Sequence, residues 1–433
     1  MTADRHGPPS SGDRAERTPR RVVTAARATL AVAALALAGS SLPRAGASPV
    51  VPPTTPAAPA ALFSPASSLN LVDTASQGPS LGPGEELTVP IVGGGTDSTA
   101  AWVQVTATAS EPTFVTVWSG DDPRPATSTL NAGADRPAAN PTVVAIGPSR
   151  TLRVYNHAGH ADIRIDVIGW FGTGAVAGTS RLLSLPPTRL VDTRDHYRLA
   201  PGQQLSLELS QAERYQGVAA LALTVTSTEA TGDGSIAVGP LGATPVTRSP
   251  VEAGEIRSSS TVAALGPWRA IALRNDTTGW LHLVVDVNGV FLGHELGSGG
   301  EFHPVAPRRL LDTRADGRRL RAEQARTVPL GEPAGSAERG SALVNVTTLG
   351  ADPASYLTVW ATGAAIPGVS QAQTTVVPTA TLLVAPVGAD GSIQLRPGAG
   401  SADVVVDLLG WFTPGGVTVS PRPDPTPITV VGG

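Results

Sequence analysis

The chain has 433 residues, 41% of them hydrophobic, which is enough for about three domains of ordinary size. It contains no cysteine, so disulfide bonds, thiolate metal sites and cysteine nucleophiles are excluded. The formal net charge is −4, and the 31 basic residues are all arginine and form no basic stripe, so we do not expect nucleic-acid binding.

Residues 1–47 have the pattern of an export signal. Several arginines precede the apolar run 30–38, and Ala45-Gly46-Ala47 forms a small-residue cleavage motif. The apolar run is too short for a stable membrane anchor, and no later segment reaches the roughly 18 apolar residues of a spanning helix. We therefore expect a secreted chain, with a Pro/Ala-rich linker at 48–67 and a proline-rich tail at 416–433.

The remainder of the chain repeats one unit three times. The opening motif is "NLVDTA" at 70–75, "RLVDTR" at 189–194 and "RLLDTR" at 309–314. The closing motif is "RIDVIGWF" at 164–171, "VVDVNGVF" at 284–291 and "VVDLLGWF" at 405–412. The spacing of the two motifs is almost constant, so insertions and deletions are nearly absent. This regularity predicts tandem homologous domains at 68–176, 177–296 and 297–415.

Between the motifs, apolar residues alternate with small polar ones. The pattern is clearest in "AWVQVTATAS" at 101–110, "LALTVTSTEA" at 221–230 and "ALVNVTTLGA" at 342–351. A period of two with β-branched residues indicates strands with one buried face, and no helical period occurs. We predict an all-β protein of three tandem β-sandwich domains, each with about eight strands and jelly-roll-like or immunoglobulin-like.

The closing strand carries an aspartate among apolar residues. Alternation places Val285, Val287 and Phe291 on one face and Asp286 on the other. A carboxylate there needs a partner, and the opening motif offers an arginine, which would clasp the first strand to the last. We expect nearby threonines to satisfy backbone groups. The predicted clasp residues are Asp73, Asp166, Asp192, Arg194, Asp286, Asp312, Arg314 and Asp407.

The expected pairs are Asp286 with Arg194 and Asp407 with Arg314. The first copy has Ala75 in place of this arginine, so Asp166 needs another partner, for which its neighbour Arg164 is available.

A second interpretation makes each aspartate pair a calcium site. Calcium takes about six to eight oxygen ligands, and two aspartates and a threonine fall short of that number. We therefore expect no metal and no other cofactor. Enzyme signatures are weak as well: "HAGH" at 157–160 falls in a predicted turn, and "GVSQA" at 368–372 lacks the strand–turn–helix context of a nucleophile elbow.

Tryptophans are the best candidates for ligand binding, although tryptophans at strand ends usually fill the core. Trp118 and Trp360 occupy matching positions in the first and third copies. Trp268 and Trp280 occur in the second copy alone, and Trp268 lies in a predicted hairpin turn. Exposed tryptophans at such positions could stack on sugar rings.

Taken together, the motifs R-L-[LV]-D-T-R, N-V-T, L-T-V-W and D-[VL]-x-G-W-F resemble a tandem repeat of exported proteins from high-GC Gram-positive bacteria. The resemblance covers about 68–415 and implies a secreted or cell-wall-associated location without an established catalytic role. It favours a non-enzymatic structural or adhesive protein whose partners are cell-wall polysaccharide or other surface proteins. The alternative is a carbohydrate- or cell-wall-binding protein that uses exposed tryptophans, and a hydrolase is the least favoured function.

Overall fold

The computed structural model describes residues 60–415 except 176–177, 210–216, 246, 267, 323 and 332–338. The predicted signal, most of the predicted linker and the proline-rich tail lie outside the described residues. The described part is almost entirely antiparallel strands, which confirms the predicted all-β class. Its helical turns are short: α1 (Thr74–Gln77), α2 (Thr313–Asp316) and a 3-10 turn at His294–Leu296.

Each repeat forms eight strands in the same order, and the third repeat adds a short one, β18. The first repeat contains β1 (Leu62–Asp73), β2 (Glu86–Pro90), β3 (Ser98–Ala109), β4 (Thr113–Ser119), β5 (Leu130–Ala132), β6 (Pro137–Ala145), β7 (Thr151–Asn156) and β8 (Ala161–Gly172). The second contains β9 (Ser180–Asp192), β10 (Gln204–Glu208), β11 (Val218–Thr228), β12 (Gly234–Pro240), β13 (Thr247–Val251), β14 (Arg257–Ala264), β15 (Ala270–Asn275) and β16 (His282–Gly293). The third contains β17 (Phe302–Asp312), β18 (Leu320–Arg321), β19 (Arg326–Pro329), β20 (Ser341–Asp352), β21 (Ser355–Ala361), β22 (Ala372–Thr374), β23 (Thr379–Pro386), β24 (Ser392–Pro397) and β25 (Ser401–Phe412).

The strand order defines a jelly roll in every repeat. The strands of each repeat can be numbered from one to eight when β18 is left out. In this numbering the first sheet has the order 1-8-3-6 and the second has the order 2-7-4-5. Two four-stranded sheets in this interleaved order are the double-sheet jelly roll, and not the immunoglobulin arrangement. Strand β18 pairs with β25 at the edge of the first sheet of the third repeat.

A bulge in each closing strand corrects the predicted side-chain alternation. Val285 and Val287 point into the core of the second repeat, but Phe291 points to the opposite side. The reason is a register shift at Asn288, which adds one residue to the strand and reverses the faces that follow. The same shift occurs between Val167 and Gly169 and between Leu408 and Gly410. The predicted grouping of Phe291 with Val285 and Val287 was therefore wrong, and in the third repeat Phe412 likewise lies on the side opposite to Val406 and Leu408.

The phenylalanines reversed by these bulges build a core that all three repeats share. Phe171, Phe291 and Phe412 from the closing strands pack with Phe63 and Phe302 from the opening strands. Ring centroids lie 4.4 Å apart for Phe63 and Phe291 and 4.3 Å apart for Phe171 and Phe302, and both contacts cross between repeats. Burial of each such ring contributes about 1.5–3 kcal/mol, so the repeats stabilise one another.

Backbone pairing at the same place arranges the repeats around an approximate threefold axis. The beginnings of the three opening strands bridge pairwise: Phe63 with Ser180, Ala61 with Phe302, and Leu182 with Gly300. The sixth strands β6, β14 and β23 also contact one another pairwise. All described residues belong to one compact unit.

Polar contacts bind the repeats outside the shared core. The Asn140 side chain donates to Asn345 Oδ1 at 2.8 Å, and Asn345 donates to the Ser128 carbonyl at 2.8 Å, so both link the first repeat to the third. Arg136 forms ion pairs with Glu252 and Glu255 of the second repeat.

The first strand begins earlier than the sequence pattern indicated. Residues 62–67 were predicted to be linker, but they form the beginning of β1. Phe63 explains the difference, because its ring is buried in the shared core and its backbone pairs with Phe171.

Candidate functional site

The recurring acids and arginines meet between the first and last strands of each repeat. In the third repeat, Arg309 lies directly opposite Asp407 in the pairing of β17 with β25. Its Nε donates to Asp407 Oδ1 at 2.8 Å, and its Nη1 lies 3.5 Å from Asp312 Oδ2. One guanidinium therefore bridges the opening and the closing aspartate. We call this group of side chains the clasp.

The second repeat has the same clasp with the same register. Arg189 lies opposite Asp286, donates to it from Nε at 2.5 Å, and donates to Asp192 from Nη1 at 2.7 Å. The Asp286 side chain is 2% exposed, so its charge depends on this arginine for compensation.

The first repeat reaches the same result with a different arginine. Asn70 stands where Arg189 and Arg309 stand in the other repeats, and it donates to Asp166 Oδ1 at 2.9 Å. The bridging cation is Arg164 of the closing strand, which donates to Asp166 at 2.7 Å and to Asp73 at 2.8 Å. The predicted pairing of Asp166 with Arg164 is confirmed.

The predicted partners Arg194 and Arg314 do not reach the closing strand. Each folds back onto the aspartate two residues before it, so Arg194 pairs with Asp192 and Arg314 with Asp312. The chain leaves the sheet at the aspartate, and in the third repeat it turns at once into α2. The second arginine of the motif is therefore carried past the end of the strand, and the first arginine forms the cross-strand pair.

A bulge in the opening strand decides this register. Val191 pairs with Val285 while Arg189 pairs with Asp286, so Leu190 is the extra residue. The third repeat has the equivalent shift between Arg309 and Leu311. The bulge places the arginine opposite the acid, on the face away from the core of its own repeat.

The motif threonines secure the backbone at the end of the clasp, as predicted. The hydroxyls of Thr74, Thr193 and Thr313 accept the backbone N–H of Ile163, Leu283 and Val404 respectively, each at 2.9 Å. This contact joins the opening motif to the start of the closing strand in all three repeats.

Burial and pairing shift the clasp carboxyls in opposite directions. Burial raises the pKa of Asp286 and of Asp407, against the opposing effect of Arg189 and Arg309. The side-chain hydrogen bond from Arg194 lowers the pKa of Asp192 to about 2. Burial also acts to raise the pKa of Asp312, but the hydrogen bonds and charge of Arg314 outweigh it and leave that pKa below its ordinary value.

This geometry gives the clasp a structural role and no vacant ligand position. A guanidinium already lies between the two carboxylates of each pair, where a calcium ion would have to bind. Within the described residues, no group of three or more His, Asp or Glu side chains could hold a metal ion.

The tryptophans divide into a buried and an exposed class. Trp118 and Trp360 are 2% and 3% exposed, so the prediction that they could contact a ligand was wrong. Each follows a core valine on its strand, Val117 or Val359, so its ring lies on the outer face of the second sheet. The Trp118 indole N–H donates to the Asp122 carbonyl. Trp268 and Trp280 are 64% and 50% exposed. They precede and follow β15, so they lie at opposite ends of that strand.

Comparisons with known proteins assign no family. No family model matches the chain, and no curated protein matches it. Among solved structures, one from an atomic structure of Sulfolobus Turreted Icosahedral Virus is 13% identical, with 81% of this chain and 91% of that chain covered and a TM-score of 0.17. Another, from a study of a triple jelly roll fold and turret assembly in an archaeal virus, is 12% identical over 82% of this chain and 91% of that chain, with a TM-score of 0.17. Likeness at this level supports no conclusion about function.

Proposed function

We propose that the protein is an exported, non-catalytic structural or adhesive protein of the cell surface. The observation that carries the proposal is the state of its recurring acids. These acids recur in every repeat and are the shared side chains that could act in acid–base catalysis. Each forms an ion pair with an arginine. Side chains committed in this way stabilise a scaffold. The export pattern of residues 1–47 supports an extracellular location.

A carbohydrate- or cell-wall-binding role is the second candidate, and the exposed tryptophans favour it. Trp268 and Trp280 present apolar ring surface to solvent, and such rings stack readily on sugars. Because they lie at opposite ends of β15, each would form a separate contact. Two weak contacts on one body raise the overall avidity for a polymer. A hydrolase has the least support, because its best acids are those of the clasp.

Fractionation of producing cells tests the structural proposal. An antibody against the 60–415 region should detect the protein in the cell-wall or culture fraction, with residues 1–47 absent by mass spectrometry. Retention of the full-length protein in the cytoplasm would contradict the proposal.

A pull-down on purified cell walls separates the two candidates. The binding candidate predicts that the parent protein is retained and that Trp268→Ala or Trp280→Ala lowers retention. Ile256→Ala is a suitable control, because Ile256 is a similarly exposed apolar residue of the same repeat, at 55%. Absence of retention for the parent protein would exclude wall binding and leave the structural role.

A further inference from the structure

A cleft of about 670 Å³ opens on the third repeat, where the chain passes from the clasp to the second sheet. Its size is within the usual range for small-molecule sites. Four arginines contribute to its lining, and we call it the arginine cleft. The lining residues are Gly317, Arg318, Arg319, Leu320, Arg321, Gln324, Ala325, Arg326 and Ser401.

Two of the four arginines have anionic partners. Arg326 forms an ion pair with Asp316, and Arg319 lies 3.4 Å from Asp403 and donates to the Gly350 carbonyl. Arg318 and Arg321 are exposed, and no carboxylate in the described part of the chain pairs with either side chain. The Asp316 carboxylate also interacts electrostatically with Arg318, so the described part of the cleft sets four guanidinium groups against two carboxylates, and positive charge predominates.

The other two repeats show which of these residues the jelly roll requires. Leu320 pairs with the residue five positions before the closing aspartate, and Leu81 and Leu199 bridge to the equivalent positions. All three leucines are buried. Leucine at this place is thus a requirement of the fold.

Two of the arginines around that leucine are not required in the same way. Arg326 pairs with Leu395, and the equivalent residues Leu87 and Leu205 of the other repeats are both leucine. The residue after the buried leucine is Arg321 in the third repeat, Gly82 in the first and Ala200 in the second. Apolar or small residues occupy these two positions in the other repeats, so the jelly roll does not require Arg321 or Arg326.

We propose that the arginine cleft binds a ligand that carries a multiply charged oxyanion, a phosphate ester or a polycarboxylate. Guanidinium groups match the paired oxygens of both groups, and they bind them through short charge-assisted hydrogen bonds. Arg318 and Arg321 are the primary contacts, and the paired Arg319 and Arg326 add to the positive potential. This binding site goes beyond the proposed surface role and does not depend on it.

Titration calorimetry of the parent protein with pyrophosphate and with citrate, at constant ionic strength, tests the proposal and distinguishes the two ligand classes. We expect saturable binding of at least one probe at one site. The variant R318Q/R321Q should bind that probe at least about tenfold more weakly, since it loses two charge-assisted contacts. The control R124Q/R248Q removes the same charge from exposed, ion-paired arginines elsewhere and should bind like the parent.

Modification of the unaltered protein with phenylglyoxal gives a second measurement that requires no variant. The bound probe should protect Arg318 and Arg321 from modification more than it protects Arg124 and Arg248. Absence of saturable binding for both probes would overturn the proposal. So would undiminished binding by R318Q/R321Q, an equal loss in the control variant, or protection spread evenly over all four arginines.

Discussion

Arg309 and Asp407 lie directly opposite each other on the first and last strands of the third repeat, with Arg309 Nε 2.8 Å from Asp407 Oδ1 and side-chain exposures of 11% and 1%. The pair closes the sheet of the repeat on the side that faces its neighbour, because Arg309 also donates to the Ala126 carbonyl of the first repeat at 3.3 Å. The clasp therefore stabilises both one jelly roll and its contact with the next.

The first prediction separates the two arginines of the opening motif. Arg309→Ala leaves Asp407 buried without its partner and should lower the free energy of unfolding by about 3–5 kcal/mol. Arg314→Ala removes hydrogen bonds to Asp312 alone and only a weaker electrostatic effect on Asp407, so it should cost about 1 kcal/mol. Urea unfolding of both variants measures the difference, and equal losses would show that the bridging arginine has no special role.

The first repeat provides a rescue experiment. Arg164→Ala should lower the free energy of unfolding by about 1 kcal/mol, less than Arg309→Ala, because Arg164 is half exposed. Asn70 lies opposite Asp166 at the position that Arg189 and Arg309 occupy in the other repeats. Adding Asn70→Arg to the Arg164→Ala variant should therefore restore stability. If the double variant is no more stable than Arg164→Ala, the positional equivalence is wrong.

The clasp also predicts how stability depends on pH. The pKa of Asp192 in the folded protein is about 2, below its ordinary value of 3.8, so its stabilising effect is complete above about pH 4 and is lost as the pH falls towards 2. Burial raises the pKa values of Asp286 and Asp407, so these two carboxyls affect the pH dependence of stability in the opposite sense. Their effect is the same in the parent protein and in a variant at Asp192. Asp192→Asn should therefore show a shallower loss of stability than the parent between pH 4 and 2. Chemical unfolding at each pH measures this loss, and parallel curves would contradict the assignment.

The glycine of the closing motif should not tolerate a side chain. A Cβ at Gly410 would lie 2.4 Å from the Phe302 ring and 2.8 Å from the His303 carbonyl oxygen. Gly410→Ala should cost about 1–3 kcal/mol in thermal or urea unfolding through overpacking. Gly368→Ala, at a site with no atom within 4 Å, should change stability by less than about 0.5 kcal/mol. Equal tolerance at both glycines would mean that Phe302 does not pack against the closing strand.

The sequence pattern predicted what depends on local periodicity. Alternation within strands such as β3, β11 and β20 was sufficient for the all-β class and for about eight strands per repeat. The constant spacing of the motif aspartates predicted the tandem repeats, and the need of the closing aspartate for an arginine partner predicted that first and last strands pair. Asp166 and Arg164 could be matched because they are neighbours on one strand.

Features that depend on register and on other repeats could not be predicted in this way. The bulges at Leu190 and Asn288 reverse faces without an obvious sequence signal, so Arg189 was overlooked and Phe291 was assigned to the wrong side. Trp118 and Trp360 are buried although they lie on the outer face of the second sheet, which alternation along the strand does not predict. The shared phenylalanine core needs three chain segments about 120 residues apart, and a motif within one repeat does not reveal it.

The central claim is that three jelly rolls, closed by clasps, fold as one body around a shared core. Scanning calorimetry of the protein without residues 1–47 tests it most directly. Because the repeats bury Phe63, Phe171, Phe291, Phe302 and Phe412 against one another, we predict a single transition whose calorimetric and van't Hoff enthalpies agree. Separate transitions, or a van't Hoff enthalpy of about one third of the calorimetric value, would contradict the claim, because they would mean that the three repeats unfold independently.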